Sequence, residues 1–352
     1  MTRLTSWQDI RALRATPPGL ATADVDRRRA FVAALRQAEE LAEAAASASY
    51  ATKALPLFYA LSQAGRAIAA AHLPDPWQLH GHGLSVRSEA DRILDSVVRP
   101  ASGAQNSFQG TAAATGSPAL SSSVPLGALW AANPDLREVH FPAATGAWPR
   151  PITIPLGTMQ GPLGSDPGYA QRELQTHGMV ETAVDVPGKT AAEVTTALNN
   201  YPSLRPAFGV KQGVIGPEKA SGTDIVVRTT AFDGMSLAAI GLSCPRVTTP
   251  SVLWGRMREF VSIVEVDPEH RHDVPRQFLG FALPEVAGGP SPHPLMLWWA
   301  LLLGLSSLTR YEPAAWSEAV DLDRSEMAVP LEQVLDIAEE RLPARILTSL
   351  RP

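Results

Sequence analysis

The chain has 352 residues, of which 45% are hydrophobic and 18% are charged, so it can bury the core of one large domain or two ordinary ones. Its formal net charge is −5, which excludes the overall basic field that holds nucleic acid without sequence preference. Cys244 is the single cysteine, which excludes an intramolecular disulfide and a thiol-rich zinc site.

Two segments bear on where the protein works. Met1–Arg14 is polar and lacks the apolar run of a signal peptide. Pro294–Leu308 is the most apolar stretch, but its length of about 15 residues is short for a membrane span, and it is followed by Arg310. The sequence therefore predicts a cytoplasmic protein without a membrane segment, in which this stretch is a buried core helix.

Two adjacent helices are predicted near the N-terminus. The first spans Asp24–Ser47, with Asp24 as its cap and apolar residues at spacings of three and four. The second spans Tyr50–His72, with Pro56 placed early, where a helix tolerates proline. The short break between them predicts an antiparallel hairpin.

A β-rich region follows the hairpin. From residue 73 to about residue 125, short apolar runs alternate with Gly, Ser and Pro; these runs are Gly83–Val86, Ile93–Val98 and Ser107–Gln109. Further strand-like runs follow at Ile152–Leu156, Met179–Val186, Asp224–Thr230, Phe260–Val266 and Phe278–Leu283. One helix, Ala191–Asn199, interrupts them, which indicates a mixed or antiparallel sheet.

The C-terminus is predicted to be helical again, at Leu295–Leu308, Ala314–Val320 and Leu331–Leu350. The apolar faces at the two ends of the chain need partners, because each end alone is too small for a good core. We therefore expect an α+β fold in which an N-terminal helical part, 1–72, packs with C-terminal helices, 291–352, as one bundle. The β-rich portion, 73–290, is inserted between them.

Three segments carry a family resemblance. The first is Arg36–Leu41 followed by Pro56–Ile68, which contains the run Tyr-Ala-Leu-Ser-Gln-Ala-Gly-Arg. The second is His82-Gly83-Leu84, and the third is Arg310–Pro313 with Trp316. Together they resemble the YaaC-like proteins of bacteria over nearly the whole chain. The resemblance implies an intracellular bacterial protein and brings no catalytic mechanism with it.

Tyr59, Gln63 and Arg66 form the first candidate ligand site. They stand at positions i, i+4 and i+7 of the second helix, so their side chains share one edge beside its apolar face. We expect Arg66 to lie at a groove where both helical ends meet the β-rich part. Its guanidinium binds either a phosphate or carboxylate ligand or an internal carboxylate such as Glu312, and the internal ion pair is the preferred interpretation.

His80-Gly81-His82 is the second candidate. In an extended segment both imidazoles point to one face and could chelate a metal, but the sequence offers no evident third ligand. The preferred interpretation is a loop in which His82 bonds to nearby backbone, so no metal is predicted. His82 is retained as a candidate ligand-binding residue.

Arg310, Tyr311 and Trp316 form the third candidate. An arginine flanked by two aromatic rings can stack on and clamp a base or nucleotide. Equally, Trp316 can wedge the corner between two helices, with Arg310 stabilising the end of the first one.

Other motif matches fail. Gly188-Lys189-Thr190 lacks the first glycine of a phosphate loop, since Ala183 stands there, and Thr190 with Glu193 is explained as a capping box. Arg172 and His177 match the Arg-four-spacer-His motif of helical ribonucleases, but they lie in a polar segment far from the helical ends.

Three functions stay open. The first is a binding or regulatory protein whose groove recognises a small anionic or nucleotide-like ligand. The second is an enzyme that acts on nucleotides or RNA as a stress or phage-defence effector, an idea that rests on fold analogy. The third is a scaffold or subunit whose apolar C-terminal helices contact a second copy or another protein. No cofactor is assigned by the sequence.

Overall fold

The computed structural model describes residues 3–89, 92–101, 106–142, 148–159, 181–185, 200, 224–228, 264–265 and 276–351. The chain divides into two compact units, the first made of residues 1–148 and 286–352 and the second of residues 149–285. The three-part division expected from the sequence stays a prediction.

The first unit is mostly helical, with a small antiparallel sheet. Its helices are α1 (Arg3–Ala15), α2 (Val25–Ala46), α3 (Tyr50–His72), α4 (Ser107–Ala114), α5 (Leu126–Ala132), α6 (Pro294–Tyr311), α7 (Pro313–Ala319) and α8 (Ala328–Leu350). Five of the six helices predicted from the sequence belong to this unit and are confirmed to within a few residues: α2, α3, α6, α7 and α8. None of the helices in the described ranges combines the length and the apolar character that crossing a membrane requires.

Local signals explain where these helices start. The Asp24 carboxylate accepts the backbone N–H of Arg27 at 2.7 Å and caps α2. At the start of α6, His293 Nδ1 accepts the N–H of Leu295 at 3.2 Å, and Pro294 occupies the first turn. Pro56 lies inside α3, beyond the early position that was expected for it.

The core joins the two ends of the chain. In α6, every residue from Pro294 to Leu308 is buried, and the helix packs on α3. Gly65 permits the close approach, since a Cβ there would lie 2.6 Å from Thr111 Oγ1 and 2.8 Å from Trp299 Cη2. The prediction that the N- and C-terminal helices pack together is confirmed.

Paired charges connect α8 to the rest of the unit. Lys53 Nζ on α3 lies 3.0 Å from both Asp336 Oδ1 and Glu339 Oε2 on α8. The Asp336 carboxylate also accepts the Tyr50 hydroxyl at 2.8 Å. The side chain of Lys53 is buried, so this pairing is needed to offset the loss of its hydration.

The small sheet contains strands β1 (Leu84–Arg87), β2 (Val97–Pro100) and β3 (Val124–Pro125), all antiparallel. The expected strand at Ser107–Gln109 is instead the first turn of α4. The Asn106 side chain accepts the N–H of Gln109 at 2.8 Å, and this cap starts a helix. Helices α1, α4 and α5 were not anticipated.

The described backbone of the second unit is stranded: β4 (Ile152–Met159), β5 (Glu181–Asp185), β6 (Asp224–Arg228), β7 (Val264–Glu265) and β8 (Arg276–Ala282). Strand β8 lies between β4 and β7, and β5 pairs with β6, all antiparallel. Four of the five predicted strand runs are thus confirmed, and of the fifth, Phe260–Val266, the described residues 264–265 are stranded. The predicted helix Ala191–Asn199 lies outside the described residues.

Candidate functional site

Helix α3 supplies one side of the candidate site. Tyr59 and Gln63 are half-buried and Arg66 is exposed, so this edge of the helix passes from the core to the solvent. The residues follow one another at about one turn, which is the spacing that places side chains on one edge. The side chain of Gln63 forms no hydrogen bond with the described part of the chain.

The last turn of α6 supplies Arg310. Its guanidinium donates to the Ser306 carbonyl through Nε and to the Tyr59 hydroxyl through Nη1, both at 3.3 Å. Tyr59 and Arg310 are 251 positions apart in the chain, so this contact joins the N-terminal and C-terminal helices at the surface. Both acceptors are neutral, and the charge of Arg310 is not cancelled by them.

The loop before β1 supplies His82. The backbone N–H groups of Ser107 and Phe108 donate to the carbonyls of Gly81 and His82 at 3.3 and 3.2 Å. The His82 ring lies 5.4 Å from Phe58 and 6.2 Å from Tyr59, measured between ring centroids. These bonds and ring contacts hold His82 beside α3, and they also satisfy the first N–H groups of α4.

Gly83 gives this loop its shape. Its φ is +81°, in the left-handed region that favours glycine, and a Cβ there would overlap the side chain of Asn106. The next residue begins β1. Replacing this glycine would therefore move His82 relative to α3.

His82 titrates below its ordinary range. Burial lowers the pKa of its imidazole, and the positive charges of Arg310 and then Arg66 lower it further. The ring is consequently neutral near pH 7, with one nitrogen that accepts a hydrogen bond and one that donates. Each of the two arginines thus disfavours the protonated form of His82.

We call Tyr59, Arg66, His82 and Arg310 the cationic cluster. Arg66 and Arg310 form no ion pair with any carboxylate in the described ranges, which include Glu312, the internal partner considered for Arg66. Arg27 in the same unit is different, since its buried guanidinium lies 3.1 Å from Asp75 Oδ1 and also donates to the Leu73 carbonyl.

Tyr311 and Trp316 differ in their exposure to solvent. Tyr311 is 69% exposed, and the Arg310 guanidinium lies 5.0 Å from the centre of its ring. Trp316 is buried, and its indole N–H donates to the Ala51 carbonyl at 2.9 Å. Trp316 therefore joins α7 to α3 and has no free face for a ligand, whereas Tyr311 borders the cationic cluster.

His80 is not part of the cationic cluster. It pairs with Asn106 through a backbone bridge, and its side chain is exposed. Among the residues that the structure describes, no three His, Cys, Asp or Glu side chains are arranged to hold a metal ion. Cys244, Gly188–Thr190 and the pair Arg172 and His177 lie outside the described residues.

Phe58 is the site residue that sequence reasoning missed. Its ring is fully buried, lies against His82 and also contacts Trp299 edge-on at 6.3 Å. It therefore forms an apolar wall on one side of the His82 ring, and the rest of that residue is exposed to solvent. Its position one residue before Tyr59 was the available signal, but the helical pattern indicated only a core residue there.

The comparisons with known proteins identify a family. The family model described as YaaC-like Protein matches residues 11–154 and 260–350. The matched ranges contain every residue of the cationic cluster. No curated protein and no solved structure matches the chain.

Proposed function

The chain belongs to the YaaC-like protein family, and we propose that it is a binding or regulatory protein whose cationic cluster holds a small anionic or nucleotide-like ligand. The observation that carries the proposal is that Arg310 donates to Tyr59 at 3.3 Å, that the Tyr59 ring lies 6.2 Å from that of His82, and that neither Arg310 nor Arg66 has a carboxylate partner in the described residues. The proposal includes a cytoplasmic location, which rests on the family resemblance and on the single cysteine.

The ion pairs elsewhere in the same unit support the proposal of an anionic ligand. Arg345 is bound by Asp135, and Lys53 is bound by two carboxylates. Where a cation of this unit is buried for structural reasons, an anion accompanies it, as desolvation requires. Arg66 is exposed and Arg310 is half-buried, so the fold does not require an anion there, and their positive charge, unpaired with any carboxylate of the described residues, is open to a ligand.

Tyr311 extends the proposal from a plain anion toward a nucleotide. Its exposed ring borders Arg310, and an aromatic face beside an arginine suits a stacked base. A phosphate on Arg66 and Arg310 with a base near Tyr311 is the arrangement we propose. Gln63 lies on the same edge of α3 and offers an amide to the polar part of the ligand.

The neutral form of the His82 imidazole favours a second candidate function, an enzyme that acts on nucleotides or RNA. A neutral imidazole beside two arginines can accept a proton from a hydroxyl while the guanidinium groups stabilise a phosphate. Cleavage of a phosphodiester that is lost in His82→Gln, and kept in His80→Gln, would favour this enzyme over simple binding.

The scaffold function requires a free apolar surface. The apolar side chains of α6 are buried inside the first unit and are not such a surface. Contacts with a second copy or another protein therefore involve other parts of the chain in this third proposal.

Native mass spectrometry tests the ligand proposal. Freshly purified protein is compared with Arg66→Gln/Arg310→Gln and with Arg36→Gln, an exposed arginine on α2 that serves as the control. We expect the wild type and the control to carry a small anionic molecule, or to bind added phosphate or adenosine monophosphate. The double variant should do neither while still melting cooperatively.

Two results would refute the ligand proposal. One is a wild-type protein of bare mass that binds neither phosphate nor adenosine monophosphate when these are added. The other is binding that is equally strong in the double variant, which would place the ligand at another part of the chain.

A further inference from the structure

The charges of the cationic cluster do not cancel within the described part of the chain. Arg66 and Arg310 each carry a permanent positive charge, because a guanidinium is not deprotonated in proteins. The groups that Arg310 binds, the Ser306 carbonyl and the Tyr59 hydroxyl, are both neutral. Two uncancelled positive charges on one surface match a ligand that carries two negative charges.

Within the described ranges, few titratable or charged groups face His82. Tyr59 and Arg66 come from α3, and Arg310 comes from α6. Helix α4, whose Phe108 N–H donates to the His82 carbonyl, contains no charged residue. The loop that carries His82 also contains His80 and Asp75, and the Asp75 carboxylate is paired with Arg27. Because both charged neighbours are cations, an added anion is what would favour a protonated imidazole.

We propose that the cationic cluster takes a tetrahedral dianion of the phosphate-monoester class in preference to a carboxylate, and that His82 becomes its third cationic donor by taking a proton from solvent. The inference rests on the proposed function and narrows it to one ligand class. Arginine suits such a ligand, because its planar fork donates two parallel hydrogen bonds to phosphate oxygens.

Binding and protonation are linked with a definite sign. In the free protein, burial and then the two arginines lower the pKa of His82. A bound dianion offsets the arginines, so the pKa of His82 is higher in the complex than in the free protein. The affinity is therefore greatest below the pKa of the free protein, and it falls as the pH rises through the interval between the two pKa values.

Sulfate is the probe that separates the protonation of His82 from the protonation of the ligand. It stays a dianion between about pH 5 and about pH 8, whereas a phosphate group titrates near pH 6 and would mix its own protonation with that of the protein. The full chain is titrated with sulfate in a calorimeter at constant ionic strength. Two buffers of different ionisation enthalpy report the protons taken up on binding.

The wild type should bind sulfate at least about fivefold more tightly at about pH 5.5 than at about pH 8, with net proton uptake. His82→Gln should still bind sulfate but lose both the pH dependence and the proton uptake. Acetate, a monoanion, should bind at least about tenfold more weakly than sulfate at equal ionic strength. The proton count is taken on the wild type, so it stands even if a variant at position 82 folds poorly.

The failure of this inference is distinguishable from the failure of the proposed function. Sulfate binding that needs both Arg66 and Arg310 but is flat with pH, or unchanged in His82→Gln, overturns the inference and leaves the anion site in place. Acetate binding as strong as that of sulfate also overturns the inference alone. Absence of sulfate binding, or binding unaffected by Arg66→Gln/Arg310→Gln, overturns both.

Discussion

The carboxylate of Asp135 accepts two hydrogen bonds from Arg345, at 3.0 Å from Nε and 2.5 Å from Nη2, across 210 positions of sequence. The indole N–H of Trp298 donates to the same carboxylate at 2.8 Å. The three side chains come from the segment after α5, from α8 and from α6. This network fixes the C-terminal helices to the N-terminal part of the unit.

Arg345→Leu should lower the free energy of unfolding by about 3–5 kcal/mol, because Asp135 would stay buried with an uncompensated charge. Urea denaturation measures the effect. Gln333→Ala is the control on the same helix, where replacing an exposed, uncharged side chain should cost about 0.5 kcal/mol or less. An Arg345→Leu protein as stable as this control would contradict the structural role of the ion pair.

Replacing both partners, as in Asp135→Leu/Arg345→Leu, should cost less than the sum of the two single replacements. The double variant leaves no buried charge, so only the N–H of Trp298 loses its acceptor. Additive losses would show that the two side chains act independently.

The same pair predicts acid sensitivity. Burial alone would raise the pKa of Asp135, but the charge and hydrogen bonds of Arg345, with the Trp298 N–H, bring it below its ordinary value. A carboxylate with a lowered pKa in the folded state stabilises the fold at pH values above its unfolded-state pKa of about 3.9. That stabilisation is lost as the pH falls through the folded-state pKa. Urea midpoints measured below about pH 4 should therefore fall less steeply in Asp135→Asn than in the wild type.

The long helices could be predicted from sequence because their signals are local. The Asp24 cap and the apolar spacing of α2, or the apolar run of α6, need no knowledge of distant residues. Helices α4 and α5 have eight and seven residues, and their Ala- and Gly-rich sequences show little periodicity. They are held by tertiary packing on α3 and α6, which a local pattern does not contain.

The candidate site was predictable only in part. The edge of α3 that carries Tyr59 and Arg66 follows from helical spacing alone. The contact between Tyr59 and Arg310 depends on how α6 packs across α3, which the sequence pattern does not specify. The burial of Trp316 and the position of the Phe58 ring beside His82 also result from packing. For this reason the sequence analysis counted Trp316 among the ligand-binding candidates and did not include Phe58.

Gly65→Ala tests the contact of α3 with α6 directly beside the cationic cluster. The added methyl group would meet the Trp299 ring and Thr111, both fully buried, so we expect a loss of about 1–3 kcal/mol in unfolding free energy. Gly116→Ala is the comparison, since it faces open space and should cost only about 1 kcal/mol for its left-handed backbone. Equal melting temperatures for Gly65→Ala and the wild type would show that the helices have room to separate.

The central claim is that Arg66 serves a ligand and not the fold, and thermal melting of Arg66→Ala with and without phosphate tests it most directly. Without phosphate, Arg66→Ala should unfold within about 0.5 kcal/mol of the wild type, because its guanidinium is exposed and has no ion pair in the described residues. About 10 mM phosphate at constant ionic strength should raise the melting temperature of the wild type and of Arg36→Ala, but not that of Arg66→Ala. A loss of about 3–5 kcal/mol without phosphate, or an undiminished response to phosphate in Arg66→Ala, would contradict the account.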